Sequence, residues 1–244
     1  MKIGILEAGL IREELADRFD PYPVMFGSLL DRSGHQLKID SVSVVRGEVP
    51  RSTDDCDGWL ITGSRHGVYD NLDWMPALEN FIRDLARQQV PLVGICFGHQ
   101  IIAQALGGQV VKSDKGWGVG LHQYQIDQSH DWMLDPAGQV GIYAFHQDQV
   151  VELPPNAQVF LSSEFCPFAG LTYGESIMSV QGHPEFEEEY MTALLDQYGG
   201  SVVPLEVTLE ARKTMQDGLR ADTSMLASWI AEFFQKSAQL SATG

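Results

Sequence analysis

The sequence predicts an α/β protein: an open, mostly parallel sheet flanked by helices, with antiparallel additions and a helical C-terminal segment. Three observations predict it. Short apolar runs alternate with helical periodicity through the first half of the chain, the pattern of a parallel sheet with crossover helices. Pro91–Ile95 is apolar without interruption, as a strand covered on both faces must be. From about Gln109 the strand-like segments shorten and polar turns separate them, which suits antiparallel pairing.

Taken in order, Lys2–Leu6 reads as the first strand and Val24–Leu30 as a helix closed by Gly34. Leu37–Val45 and Gly58–Thr62 read as the second and third strands. Pro76, Leu78, Phe81, Ile82 and Leu85 mark a helix with Pro in its first turn and one apolar face. Pro91–Ile95 follows as a central strand, then Gly98–Leu106 as a helix stopped by Gly107 and Gly108. Gln109–Val111, Leu121–Ile126, Gly141–Phe145, Val159–Leu161, Gly170–Tyr173 and Ile177–Gln181 are the shorter strands. Glu187–Tyr198, Leu205–Leu219 and Ser224–Phe234 are helical, with Ser201–Pro204 as a linker-like break. The expected organisation is one α/β domain over residues 1–200, with a helical extension, 201–244, packed on the same domain.

The chain has 244 residues, 44% of them apolar and 20% charged, which are globular proportions. A chain of this length buries enough surface to need no disulfide or metal staple. Its formal charge of −17 repels phosphate backbones and speaks against nucleic acid as a partner. Cys56, Cys96 and Cys166 lie far apart with no CxxC pair, so neither a disulfide framework nor a zinc site is expected. Met1–Leu10 is too short for a signal peptide and contains Glu7, and no apolar run is long enough to span a bilayer. A reducing, cytoplasmic setting without membrane attachment is the expectation.

The most informative segment is Gly94-Ile95-Cys96-Phe97-Gly98-His99-Gln100. By composition, a G-x-C-x-G-x-Q arises by chance in about two of a thousand such chains. It joins an apolar strand to a helix, the setting of a nucleophile elbow. Such a turn strains the nucleophile's backbone, and glycines on either side relieve the crowding. The helix N-terminus beyond it favours a thiolate. Cys56, after Asp54-Asp55, and Cys166, before Pro167, have no such setting and read as buried structural thiols.

A thiolate nucleophile wants a histidine, and the histidine a group to orient it. Of seven histidines, His183 is the best placed. It follows the strand Ile177–Gln181, and functional side chains gather beyond the C-terminal ends of parallel strands. There it can face Cys96, with Glu185 two residues on to fix its tautomer. Other motifs fail: Gly116, Gly118 and Gly120 open a strand pattern, His183-Pro184-Glu185 lacks the downstream cysteines of a zinc deaminase, and no phosphate loop occurs.

These segments, with Gln181-Gly182-His183-Pro184-Glu185, resemble the class I (triad) glutamine amidotransferases, whose sheet is flavodoxin-like. The likeness runs from about Lys2 to Tyr190. It is greatest to stand-alone members related to the GMP synthetase glutaminase domain, including the plant γ-glutamyl peptidases. Lys115-Gly116, the run from Phe145 to Val150, and Ser162-Ser163-Glu164 support it. The resemblance implies Cys96 as nucleophile, His183 as base and Glu185 as its orienter. It implies the Gly63 and Phe97 N–H groups as the oxyanion hole. It gives Gln100, His146, Gln147 and Asp148 the glutamyl head group to hold. It implies acyl transfer at a γ-glutamyl amide through a thioester, with no metal or organic cofactor. The substrate would be a small γ-glutamyl compound, either glutamine or a γ-glutamyl peptide.

Two departures stand out. Thr62-Gly63-Ser64 replaces a loop with two glycines and a proline, and Gly182 stands where many members have Phe. The second is expected to leave more room beside the triad. Four functions fit: an independent γ-glutamyl hydrolase, a glutaminase subunit feeding ammonia to a separate synthetase, a catalytically silent binding protein on the scaffold, and a cysteine peptidase of related architecture.

Overall fold

In the computed structural model, which describes residues 1–136, 138–216 and 218–241, the strands fall into two halves of one nine-stranded sheet. The parallel half is built from β1 (Lys2–Leu6), β2 (Lys38–Val42), β3 (Gly58–Ile61), β4 (Leu92–Ile95) and β11 (Ile177–Val180). They lie in the order β2-β1-β3-β4-β11 and every neighbouring pair is parallel. The sheet continues through β10 (Gly170–Tyr173), β9 (Ala157–Ser162), β6 (Gly118–Ile126) and β7 (Gln139–His146), all antiparallel. A separate two-stranded ribbon pairs β5 (Gln109–Lys112) with β8 (Asp148–Glu152).

Alternation along the strands sorts the side chains to two faces. Ile3, Ile5, Leu60, Val93 and Ile95 point into one apolar cluster, and Leu6, Trp59, Ile61 and Leu92 into the other. The second face is covered by α2 (Met75–Gln88) and α3 (Phe97–Ala105), through Leu78, Ile82, Leu85, Ile101 and Ile102. The first is covered by α1 (Tyr22–Asp31) and by α6 (Thr223–Ser241), whose Trp229, Ile230, Phe233 and Phe234 share a core with Ile3 and Phe26. The C-terminal helix is thus part of the main core. α4 (Glu188–Tyr198) and α5 (Leu205–Gln216) close a third cluster against β6 and β7. No described helix is long and apolar enough to cross a membrane.

Several boundaries differ from the sequence expectation. β2 ends at Val42, and Val44–Arg46 form a 3-10 turn, not strand. β2 is an edge strand, and Glu7 draws the chain aside: its carbonyl accepts from the Val45 N–H (3.1 Å) and its carboxylate from the Ser43 hydroxyl (2.5 Å). β8 has no counterpart among the expected strands, because its apolar residues are outnumbered by polar ones and only pairing with β5 makes it a strand. β6 starts at Gly118, three residues before the expected Leu121. Residue 217, inside the expected helix Leu205–Leu219, lies outside the described residues, as do residues 242–244 of the expected extension.

Candidate active site

β4 and β11 are adjacent, with Ile95 level with Val180, so both chains leave the sheet at one place. Cys96 turns the chain from β4 into α3 with φ 52° and ψ −101°, a conformation that costs a non-glycine residue energy and persists only when its surroundings enforce it. The surroundings do so. The Cys96 N–H donates to the Val180 carbonyl at 2.9 Å. A Cβ on Gly94 would lie 2.6 Å from the Gly98 carbonyl oxygen, and one on Gly98 would lie 2.3 Å from the Ile61 carbonyl oxygen. Any side chain at either position would push the elbow out of the sheet.

His183 lies just beyond β11, where its N–H donates to the Tyr143 carbonyl at 2.7 Å and pins it to β7. Its Nδ1 donates to Glu185 Oε1 at 2.8 Å, with both side chains buried. That leaves Nε2 for Cys96, itself only 5% exposed. Phe186 stacks on the imidazole at 4.0 Å and 11°, fixing the ring plane. Burial alone would lower the His183 pKa. The charges of Cys96 and Glu185 and hydrogen bonds to both outweigh it and raise the pKa to about 10. The arrangement favours the charged form of the imidazole.

Gly63 closes the other side. A Cβ there would lie 2.9 Å from His183 Cε1 and 3.7 Å from Cys96 Cβ. Its loop is latched by Thr62, whose hydroxyl accepts from the Ala8 N–H (3.0 Å) and donates to the Gly63 carbonyl (3.0 Å). Phe97 is the first residue of α3, so its N–H has no partner within the helix.

A cleft of about 280 Å³ opens over Cys96, and Gln100, His146, Gln147 and Asp148 all line it. Three of these four also bond the chain itself, while His146 Nε2 is buried with no hydrogen-bond partner among the described residues. Gln100 Nε2 donates to the Asp148 carbonyl (2.9 Å) and to Gln181 Oε1 (3.1 Å). His146 Nδ1 donates to the same carbonyl at 3.1 Å, and burial, aided by the neighbouring histidines, lowers its pKa to about 3. Gln100 and His146 therefore fix the Gln147–Asp148 backbone. The Asp148 carboxylate accepts from the Tyr69 hydroxyl at 2.8 Å, and burial raises its pKa. The expectation for Gly182 is corrected: a Cβ there would lie 2.7 Å from Ile142 Cγ2 and 3.1 Å from the Tyr143 carbonyl oxygen. The space is filled by β7 and adds no room to the cleft.

Sequence alone does not single out Phe186 or Tyr69. The only signal for Phe186 is an aromatic next to Glu185, and Tyr69 sits in a 3-10 turn far along the chain from Asp148. A larger cavity of about 390 Å³ lies behind Glu185, between Phe19, Arg32 and Tyr190, and does not reach Cys96 or His183.

The sequence and the fold both have known relatives. The family model "Glutamine amidotransferase class-I" matches residues 26–206. γ-Glutamyl peptidase 3 of Arabidopsis thaliana is 31% identical over 201 residues, covering 79% of this chain and 80% of that one. A subunit of the glutamine-hydrolyzing GMP synthase of Pyrococcus abyssi is 34% identical over 117 residues, 45% of this chain and 62% of that one. Among solved structures, a glutamine amidotransferase from Methylobacillus flagellatus shares the fold with a TM-score of 0.71 at 21% identity, covering 97% of this chain and 94% of that one. The chain belongs to the class I glutamine amidotransferase family.

Proposed function

We propose that this protein hydrolyses γ-glutamyl amide bonds through a glutamyl thioester on Cys96. The observation that carries the reading is the elbow itself: a strained cysteine hydrogen-bonded to the end of the strand whose extension bears the His183–Glu185 pair.

The Cys96 thiolate attacks the side-chain carbonyl carbon of the glutamyl group, and the C=O electron pair moves onto oxygen. The Gly63 and Phe97 N–H groups stabilise that oxyanion, each such donor contributing about 3 kcal/mol in the transition state. The tetrahedral intermediate collapses as the C–N bond breaks and His183 Nε2 gives its proton to the departing nitrogen. Amine or ammonia leaves, and the thioester remains. His183, now neutral, takes a proton from water as the water oxygen attacks the thioester carbon. The C–S bond breaks, glutamate is released, and the thiolate–imidazolium pair is restored. Glu185 keeps the proton on Nδ1 throughout. Gln147 and Asp148 hold the glutamyl head group, on a backbone braced by Gln100 and His146.

Steady-state assays of the purified protein test this, with γ-glutamyl dipeptides and glutamine as substrates and glutamate release as the readout. Turnover of dipeptides by the protein alone is the expected result. Turnover of glutamine only in the presence of a synthetase would support the second reading, a glutaminase that serves a separate synthetase, which the match to the GMP synthase of Pyrococcus abyssi favours. Cleavage of α-peptides with no γ-glutamyl activity would refute both.

A further inference from the structure

The cleft over Cys96 carries a feature that the hydrolysis steps leave unused. Arg12 and Arg65 both line it, and both also line an adjoining hollow of about 300 Å³ outside it. They stand where a substrate would pass from one to the other. Two arginines meet at this one cleft in a chain with 16 Lys+Arg against 33 Asp+Glu, where carboxylates outnumber cations twofold. Elsewhere, Arg18, Arg32, Arg83, Arg87, Arg212 and Arg220 each have a carboxylate within 4 Å, whereas Arg46 and Arg51, which do not line this cleft, have none among the described residues. Among the described residues, Arg12 and Arg65 form no ion pair and no side-chain hydrogen bond.

Both are nonetheless placed. The Arg12 guanidinium lies over the Tyr198 ring, 4.9 Å from its centroid, which fixes its position and leaves its in-plane N–H donors free. Arg65 is two residues beyond Gly63, on the loop that Thr62 latches. Their fields overlap: His66, whose pKa burial lowers, is pushed down further by both. Lys112 and the Asp148 carboxylate line the same cleft and lie near one another, a pairing of signs that suits a zwitterionic head group. A head group held by that pair, with the amide over Cys96, leaves Arg12 and Arg65 for the departing amine.

We infer that the departing amine carries a carboxylate, and that Arg12 and Arg65 recognise it. The substrates are then γ-glutamyl amino acids or short γ-glutamyl peptides with a free C-terminal carboxylate. Two planar forks of N–H donors are the chemistry that reads a carboxylate and ignores a carboxamide. Glu13 and Glu14 line the outer hollow, so a carboxylate is favoured beside the arginines and disfavoured further out. That geometry selects short leaving groups. This inference rests on the γ-glutamyl hydrolase reading and specifies its substrate class.

The test compares γ-glutamyl-alanine with γ-glutamyl-alaninamide, which differ only at the C-terminal group. The wild type should prefer the acid at least tenfold in kcat/KM. In Arg12→Gln and Arg65→Gln that preference should fall at least fivefold, through KM of the acid more than through kcat. Arg65→Lys should restore part of it, and added salt should erode it in the wild type. A wild type with no preference, or variants that lose both substrates equally, would overturn the assignment. The second outcome would place the arginines on the head group or the loop. Equilibrium binding of both compounds to Cys96→Ala protein separates this inference from the reading beneath it. Preferential binding of the acid without turnover in the wild type would sink the hydrolase reading and keep the arginines' role. Turnover without preference would sink the arginines' role alone.

Discussion

His183 Nδ1 and Glu185 Oε1 are 2.8 Å apart, two residues apart in sequence, and shielded from water. The carboxylate sits where it fixes the imidazole tautomer and supports its positive charge. In Glu185→Gln the charge is lost and the tautomer is no longer specified. We expect kcat to fall at least about a hundredfold with KM changed far less. A loss carried by KM would show that Glu185 acts on binding.

The raised pKa of His183 gives a signed pH dependence. Folding lifts the group from 6.5 to about 10, so the imidazolium's contribution to stability is fully present below about pH 6.5 and is lost as pH rises through about 10. Thermal melts of wild type and His183→Gln across that window check it: the gap in Tm between them should narrow from pH 6 to pH 10. A companion measurement is the ring titration by NMR in Cys96→Ala. Without the thiolate beside it, His183 should titrate at a lower pH than in the wild type.

The elbow's demand for glycine is measurable. Gly98→Ala sets a methyl 2.3 Å from the Ile61 carbonyl oxygen, part of β3 that cannot swing aside. The expected cost is about 3 kcal/mol in urea denaturation, with loss of turnover. Gly34→Ala is the control: its φ is +76° but nothing lies within 4 Å, so only backbone strain of about 1 kcal/mol applies. Equal destabilisation of the two would contradict the crowding argument.

Gly182→Ala separates packing from specificity. Its methyl would press on Ile142 at 2.7 Å, so the melting temperature should drop. The ratio of kcat/KM for dipeptide over glutamine should stay within about twofold, because the displaced space is not in the cleft. A shift in that ratio without a change in melting would restore the idea that Gly182 widens the site.

The latch on the Gly63 loop is a further point of attack. Thr62→Val keeps the shape but strands the buried Ala8 N–H, at about 1–3 kcal/mol. If the loop supplies an oxyanion donor, kcat should fall while KM moves little. An unchanged kcat would remove Gly63 from the transition state.

Much of the fold and site is legible in the sequence for local reasons. Pro91–Ile95, continuous and apolar, can only be a covered strand, and the two glycines around Cys96 announce the turn that follows it. The pairing of His183 with Glu185 is readable because two residues separate them and an apolar strand precedes them. What the sequence hides is set by contacts between distant segments. β2 stops early because Glu7 captures Ser43 and Val45. β8 becomes a strand only by meeting β5. Gly182 reads as open space along the chain, and only the approach of β7 shows it filled. That Gln100 bonds the Asp148 carbonyl is hidden for the same reason, because it depends on a segment 48 positions away meeting it behind the cleft.

The most direct test of the central claim is covalent. A glutamine-analogue electrophile, followed by peptide mass mapping, should modify Cys96 in the wild type, leave Cys56 and Cys166 free, and abolish turnover in proportion to labelling. Cys166, whose thiol burial pushes to about 12, is the internal control for an inert cysteine. Modification of Cys96 alone, absent in Cys96→Ser, is the predicted result; equal labelling of wild type and Cys96→Ser, or full activity after Cys96 is modified, would contradict the account.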